Sequence, residues 1–200
     1  MNEIIIATKN AGKANEFKTF FSRYSINAIS LPELSQEIAD IEETGTTFAE
    51  NAALKAEQIA EWLQKPVLAD DSGLVIDALD GRPGIFSARY AGEPKNDQTN
   101  IDKVLHELDG IDMPDRTAHF VCVLAVAIPG DATIFKTGFC EGIINTEQAG
   151  VNGFGYDSVF IPDGYTQTMA ELSSDEKNRI SHRRKAMDQL ETWVQTYAAN

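Results

Sequence analysis

The run Glu3-Ile4-Ile5-Ile6-Ala7-Thr8 constrains the fold of this 200-residue chain more than any other stretch. Its apolar residues are continuous rather than alternating, which predicts a strand buried on both faces, the situation of a sheet covered by helices. Lys9-Asn10-Ala11-Gly12 reads as a turn after it. Lys13 to about Phe21 then reads as a helix with Phe17, Phe20 and Phe21 on its apolar side. A second strand is predicted over Ile26 to Leu31, stopped by Pro32, and Glu33 to Gly45 is polar and irregular. A long helix begins at Thr46, where Thr47 and Glu50 have the spacing of a capping box, and Pro66 marks its far end. Val67 to Ile76 reads as a strand interrupted or flanked by Asp70-Asp71-Ser72-Gly73.

Further along, Ile101, Val104, Leu105 and Leu108 have helical spacing in a segment of about Gln98 to Leu108. His119 to Ile128 and Thr133 to Ile144 are predicted strands around the hairpin signal Pro129-Gly130-Asp131. A glycine-rich loop, Gly150 to Gly155, leads to a short strand at Val159-Phe160-Ile161. Ser174 to Ile180 and an amphipathic helix from about His182 to Tyr197 follow. Early alternation of strands and helices with a late hairpin predicts an α/β fold built on a mixed sheet. Residues 1–200 are enough for a single domain, or for two lobes sharing a core.

Charge narrows the partners. Thirty-one acids against 17 bases give a formal net charge of −14. That field repels polynucleotides, so no nucleic-acid partner is expected. A single anionic nucleotide is a different case, because it needs only a local set of cations, helix N-termini and a metal ion. No apolar run reaches the length of a membrane span and no basic leader precedes Ile4, so a cytoplasmic protein with no membrane partner is expected. Cys122 and Cys140 lie in apolar, strand-like stretches and read as small buried hydrophobes.

Five groups of residues carry chemistry. Thr8-Lys9-Asn10-Ala11-Gly12-Lys13 lies between a strand and a helix, where backbone N–H groups and the positive helix end favour phosphate. The spacing approaches a P-loop but Ala7 and Ala14 replace two of its fixed residues, so an ordinary βα turn remains open. Glu42-Glu43 and Asp70-Asp71 are oxygen ligands of the kind that Mg²⁺ takes beside a triphosphate. For the glutamates a solvated segment before a helix is the alternative, whereas Asp70-Asp71 sit between Val67-Leu68-Ala69 and Leu74-Val75-Ile76, a costly place for charge without a partner. On the long helix, Lys55 points either inward to phosphate or a metal-bound carboxylate, or to a surface pairing with Glu50 and Asn51. Gly150 to Asp157 brackets Phe154 with glycines, which suits either a base-stacking platform or a tight hairpin with a core aromatic. Lys177 and Ser181-His182-Arg183-Arg184 form the densest basic cluster, at a helix N-terminus where the dipole disfavours it unless an anionic or carbonyl-bearing ligand binds.

Six segments together resemble the Ham1/RdgB family of non-canonical purine NTP pyrophosphatases, the inosine triphosphatases. They are Ala7 to Lys13; Glu42 to Phe48 with Glu50-Asn51-Ala52; Ala69 to Leu74; Pro83-Gly84-Ile85-Phe86-Ser87-Ala88-Arg89-Tyr90; Gly153 to Asp157; and Ser181-His182-Arg183. They occur in the family's order and cover nearly the whole chain. The resemblance implies a long mixed β-sheet with flanking helices in two lobes around a central cleft, and a homodimer. It also implies Mg²⁺-dependent cleavage of dITP, ITP or XTP to the monophosphate and pyrophosphate.

Carried onto this sequence, the resemblance makes Asp71 the general base and a Mg²⁺ ligand, with Glu42 or Glu43 as the other ligand and Asp70 close by. Thr8 to Lys13, Lys55 and Lys177 hold phosphates, and Ser72 touches the substrate. Phe154, Gly155, Tyr156 and Asp157 form the wall against the base, while His182 and Arg183 read the purine edge. Lys9 departs from relatives that carry a small residue there. A pyrophosphatase for modified pyrimidines, a regulatory nucleotide-binding module and a kinase-like P-loop enzyme are the rival readings. His182-Arg183, the intact Asp70-Asp71, and Ala7 with Ala14 speak against each in turn.

Overall fold

In the computed structural model, which describes residues 2–36 and 38–199, the first apolar run forms strand β1 (Glu3–Ile6) and helix α1 (Ala11–Ser22) follows it. The helix begins two residues before the position read from the sequence. The Asn10 side chain accepts the Lys13 N–H at 3.0 Å, an N-cap that draws Ala11 and Gly12 into the first helical turn. Ala14, Phe17, Phe20 and Phe21 are its buried face, the spacing that turns one side of an α-helix inward. β2 (Asn27–Ser30) lies parallel to β1, with Ile5 opposite Ile29.

α2 (Phe48–Leu63) starts where its capping box predicts, with Thr47 and Glu50 satisfying each other's backbone donors. β3 (Val67–Ile76) then runs without a break. Asp70-Asp71-Ser72-Gly73 therefore neither interrupts nor flanks the strand but lies within it. The carboxylates meet cationic and amide partners where they stand, so the backbone need not bend to expose them. β1 and β3 are parallel, with Ile6 opposite Leu68. This register carries β3 past the carboxyl end of β1, and ligands of open α/β sheets gather at such strand ends.

α3 (Asp97–Glu107), β4 (Thr117–Ala127), β5 (Ile134–Ile144), β6 (Phe160–Pro162), α4 (Ser174–Ile180) and α5 (His182–Ala199) complete the chain. The six strands form one sheet in the order β2-β1-β3-β4-β5-β6. Parallel β1–β2 and β1–β3 pairs with an antiparallel β5–β6 pair make it mixed, as the sequence predicts.

Two compact units divide the residues. The first comprises 1–71, 123–137 and 186–200, and its core includes Ile4, Ile5, Phe17, Phe21, Ile59, Leu68 and Leu124. The second comprises 72–122 and 138–185. Its core gathers Leu74, Ile76, Val104, Leu108, Phe120, Tyr156 and Phe160. Each fully buried side chain of this size contributes about 1.5–3 kcal/mol. Cys122 and Cys140 are buried in thiol form, and burial pushes the Cys140 thiol up to about 11.

Candidate active site

In the first unit, parallel pairing of β1 with β3 sets the Asp70 carboxylate against the first turn of α1. Lys13 Nζ donates to Asp70 Oδ2 at 2.7 Å. Thr8 Oγ1 accepts the Asn10 N–H at 3.1 Å, so this hydroxyl and the Asn10 amide shape the turn. Lys9 points away to an ion pair with Asp40, both side chains being largely exposed. Of the residues Thr8 to Lys13, Lys13 is thus the cation aimed at the acidic strand.

Asp71 sits beside a second set of partners. Asn51 Nδ2 donates to Asp71 Oδ2 at 3.2 Å, and Lys55 Nζ lies 3.7 Å from Oδ1. The same ammonium donates to Glu43 Oε1 at 2.8 Å. Asn51 and Lys55 share one face because four residues separate them on α2. Lys55 therefore turns inward, and its surface pairing with Glu50 does not form. Glu50 instead accepts from Thr46 and Thr47 at the helix start. Glu42 is exposed, while Glu43 is half-buried against Lys55.

Electrostatics follow from this crowding. Burial pushes the Asp71 carboxyl up to about 6; Lys55 opposes the rise, Glu43 adds to it, Asn51 opposes it and Asp70 adds to it. Burial also works against the Lys55 ammonium, but the fields of Asp70 and Asp71 with the Glu43 bond outweigh it, and its pKa is raised. Two carboxylates joined through one ammonium suit a hard divalent cation, which needs only one or two carboxylates when phosphate oxygens complete its shell. No group of three or more His, Cys, Asp or Glu side chains arranged for a metal occurs among the described residues. A cation held partly by substrate requires none.

The second unit carries the aromatic and basic residues. Phe154 is 50% exposed, its ring 5.1 Å from Lys177 Nζ. Lys177 also bonds the Asp157 carboxylate, which accepts the Phe154 N–H at 2.9 Å. Gly153 has φ +82°, and a side chain there would collide with that carboxylate and the ammonium. Phe154 is thereby an outward platform over a cation rather than a core aromatic. Tyr156 is the core aromatic: it is buried, and its hydroxyl donates to the Ser87 carbonyl at 2.7 Å. Its side chain is a strut behind the wall, and burial holds its pKa well above the usual phenol range. Gly155 donates its N–H to Asp97 Oδ2 at 2.8 Å.

His182 stacks on Phe120 at 5.0 Å with 17° between the ring planes, and Arg183 is buried. Ser181 Oγ accepts the Arg184 N–H at 3.1 Å and so caps the start of α5. Ser72 is the first residue of this unit, next to Asp71 in the chain. The sequence marks Asn51 only as a neighbour of Lys55 on the long helix, and it does not point to Asp97 or Phe120. For Asn51 the signal was present, since the capping box fixes the helix register and places it beneath Lys55. Asp97 and Phe120 had none, because the elements that they meet lie far away in the chain.

Comparison with known proteins settles the family. The Ham1 family model matches residues 4–193. The chain belongs to the Ham1 family. A dITP/XTP pyrophosphatase of Oceanobacillus iheyensis is 63% identical over 196 residues, covering 98% of this chain and 100% of the relative. That of Geobacillus kaustophilus is 55% identical over 194 residues, covering 96% and 95%. Among solved structures, the Ham1 protein of Staphylococcus aureus has a TM-score of 0.89 at 46% identity, covering 98% and 99% of the two chains. The Coxiella burnetii Ham1 protein has 0.91 at 44%, covering 98% and 100%. Ham1 proteins thus share this mixed sheet with flanking helices over the whole chain.

Proposed function

We propose that this Ham1-family chain hydrolyses non-canonical purine nucleoside triphosphates (dITP, ITP, XTP) to the monophosphate and pyrophosphate, with Mg²⁺ as the divalent cation, so clearing them from the nucleotide pool. The relatives named dITP/XTP pyrophosphatase align over 95% or more of both chains. The observation that carries the reading is the Glu43–Lys55–Asp71 array with Asp71 held at about 6. A carboxylate of that pKa is ionised at neutral pH yet basic enough to take a proton from water.

Asp71 and Glu43 are the residues that would hold the cation; Glu42 is exposed. When bound, the cation neutralises the polyphosphate and draws charge from the leaving oxygen. Asp71 accepts the proton as water attacks the α-phosphorus, and the bond from that phosphorus to the α–β bridging oxygen breaks. Lys13 and Lys55 offset the charge that accumulates on the leaving pyrophosphate. Thr8, Asn10, Ala11 and Gly12 offer the turn against which phosphate rests, Lys9 adds charge beside it once released from Asp40, and Ser72 adds a hydroxyl.

In the second unit Phe154 supplies the stacking face and Lys177 its charge, with Gly155 and Asp157 fixing the loop and Tyr156 bracing it. His182 and Arg183 donate to the 6-carbonyl of hypoxanthine or xanthine, an acceptor that adenine lacks. Rejection of GTP then falls to its 2-amino group, crowded or unpaired in this wall. The working assembly in this reading is a homodimer in the cytoplasm. No helix among the described residues is long and apolar enough to cross a membrane.

A panel of triphosphates with Mg²⁺, scored for pyrophosphate against orthophosphate, tests the reading. ITP is expected to give pyrophosphate and IMP. Orthophosphate from ITP overturns the α–β cleavage, and equal rates for ATP and ITP overturn the purine selectivity.

A further inference from the structure

Asn51 is fully buried on α2, and both ends of its amide are engaged. Its Oδ1 accepts the Gly45 N–H at 2.8 Å, and its Nδ2 donates to Asp71 Oδ2 at 3.2 Å. The Asn51 backbone N–H is already committed to the Thr47 carbonyl at 3.1 Å, so the residue cannot shift along the helix to serve either partner better. Gly45 packs directly on it: a Cβ there would stand 2.6 Å from Asn51 Oδ1 and 2.7 Å from Glu50 Cβ.

One amide thus joins the segment that carries Glu43 to the strand that carries Asp71. It also distinguishes the two oxygens of Asp71. Oδ2 is tied to the amide, while Oδ1 faces the Lys55 ammonium that Glu43 shares. We infer that Asn51 is a positioning residue for the proposed hydrolysis: it orients Asp71 so that Oδ1 is the oxygen presented for chemistry, and it fixes the spacing between Asp71 and Glu43. The inference rests on the proposed function. A side chain that only filled space at this position would be apolar, because burying an amide demands partners at both ends. An aspartate would keep the acceptor for Gly45 but replace the donor to Asp71 with a repelling oxygen.

The test compares wild type with Asn51→Asp, which preserves volume and the Gly45 bond, and with Gly45→Ala, which displaces the amide from its other end without touching Asp71. Steady-state kinetics with ITP and Mg²⁺ are measured beside titration of Mn²⁺ alone into each free protein and thermal unfolding. Partners that orient metal-binding carboxylates typically change activity or metal affinity 10–100-fold. Folded Asn51→Asp and Gly45→Ala are expected to lose about 10–100-fold in kcat with KM for ITP within about threefold, and to bind Mn²⁺ about tenfold more weakly. Wild-type kcat and Mn²⁺ affinity in either folded variant overturn the positioning role while leaving the proposed function standing. A lowered melting temperature with kcat unchanged marks the amide as structural only and overturns it equally. Wild type inert toward every triphosphate overturns the function and this inference together.

Discussion

Lys13 Nζ lies 2.7 Å from Asp70 Oδ2, an ion pair in which the carboxylate is only 3% exposed and the lysine side chain one-fifth exposed. Breaking a largely buried pair from one side leaves its remaining charge poorly solvated. Lys13→Met is therefore expected to lower stability by roughly 2–3 kcal/mol, less than for a fully enclosed pair because Lys13 touches solvent. Urea unfolding measures this. Asp70→Asn should cost less, since the freed ammonium can turn to water. If Lys13 also serves phosphate, Lys13→Met raises KM for ITP in the same preparation, and an unchanged KM would remove it from the site.

Asp71 gives two pH dependences of opposite sign. Its carboxyl is raised from 3.8 to about 6, so the folded protein holds the proton more tightly than the unfolded chain. Between those values stability falls as pH rises, and above about 6 the full penalty of burying the charge is present. In metal-free protein at pH 7, Asp71→Asn is expected to stabilise by about 2–3 kcal/mol, read as a higher midpoint in urea. Activity runs the other way: kcat/KM rises with pH as Asp71 ionises, along an acid limb that added Mg²⁺ moves to lower pH because the cation favours the charged carboxylate. The same variant should lose about 10²–10⁴-fold in kcat. A variant with near-native turnover would disqualify Asp71 as the base.

Glu42 and Glu43 are neighbours in sequence with different surroundings, because Glu43 bonds Lys55 and Glu42 is exposed. Chelation with EDTA should abolish turnover and added Mg²⁺ restore it. Glu43→Gln should raise the Mg²⁺ concentration for half-maximal rate about tenfold, the size expected when a ligand carboxylate is lost. Glu42→Gln should leave it within about twofold. The reverse order would move the ligand to Glu42.

Phe154 and Tyr156 separate binding from packing. Stacking of a base on an aromatic ring contributes about 1–3 kcal/mol, so Phe154→Ala is expected to raise KM for ITP about tenfold or more. Its melting temperature should barely move, since the ring is half exposed. Tyr156→Phe removes a buried hydrogen bond to Ser87 and should cost about 1 kcal/mol of stability with kcat/KM intact. Parallel ITP kinetics and calorimetry on both variants check the contrast.

Much of the fold was legible before any coordinates. The continuous Ile4-Ile5-Ile6 run, the Thr47–Glu50 capping box and the Pro129-Gly130-Asp131 hairpin signal each act within a few residues, and each appears where it was read. Where the reading failed, a distant partner reversed a local preference. Asp70-Asp71 read as interrupting or flanking their strand because charges break apolar runs. The strand continues because Lys13, Lys55 and Asn51 arrive from α1 and α2 to meet them.

The sequence by itself determined the pattern of elements, the acidic character of the chain, and the six ordered segments that mark a Ham1 protein. These follow from composition and from short-range periodicity, which a single chain displays openly. Only the tertiary structure decided that Glu43 rather than Glu42 meets Lys55, that Phe154 faces outward while Tyr156 turns in, and that Asn51 holds Asp71. The site contacts among them, with Lys13–Asp70, join residues 12, 20 and 57 positions apart. Their geometry depends on which strands pair and in what register, and a shift of one residue would turn each strand side chain to the opposite face.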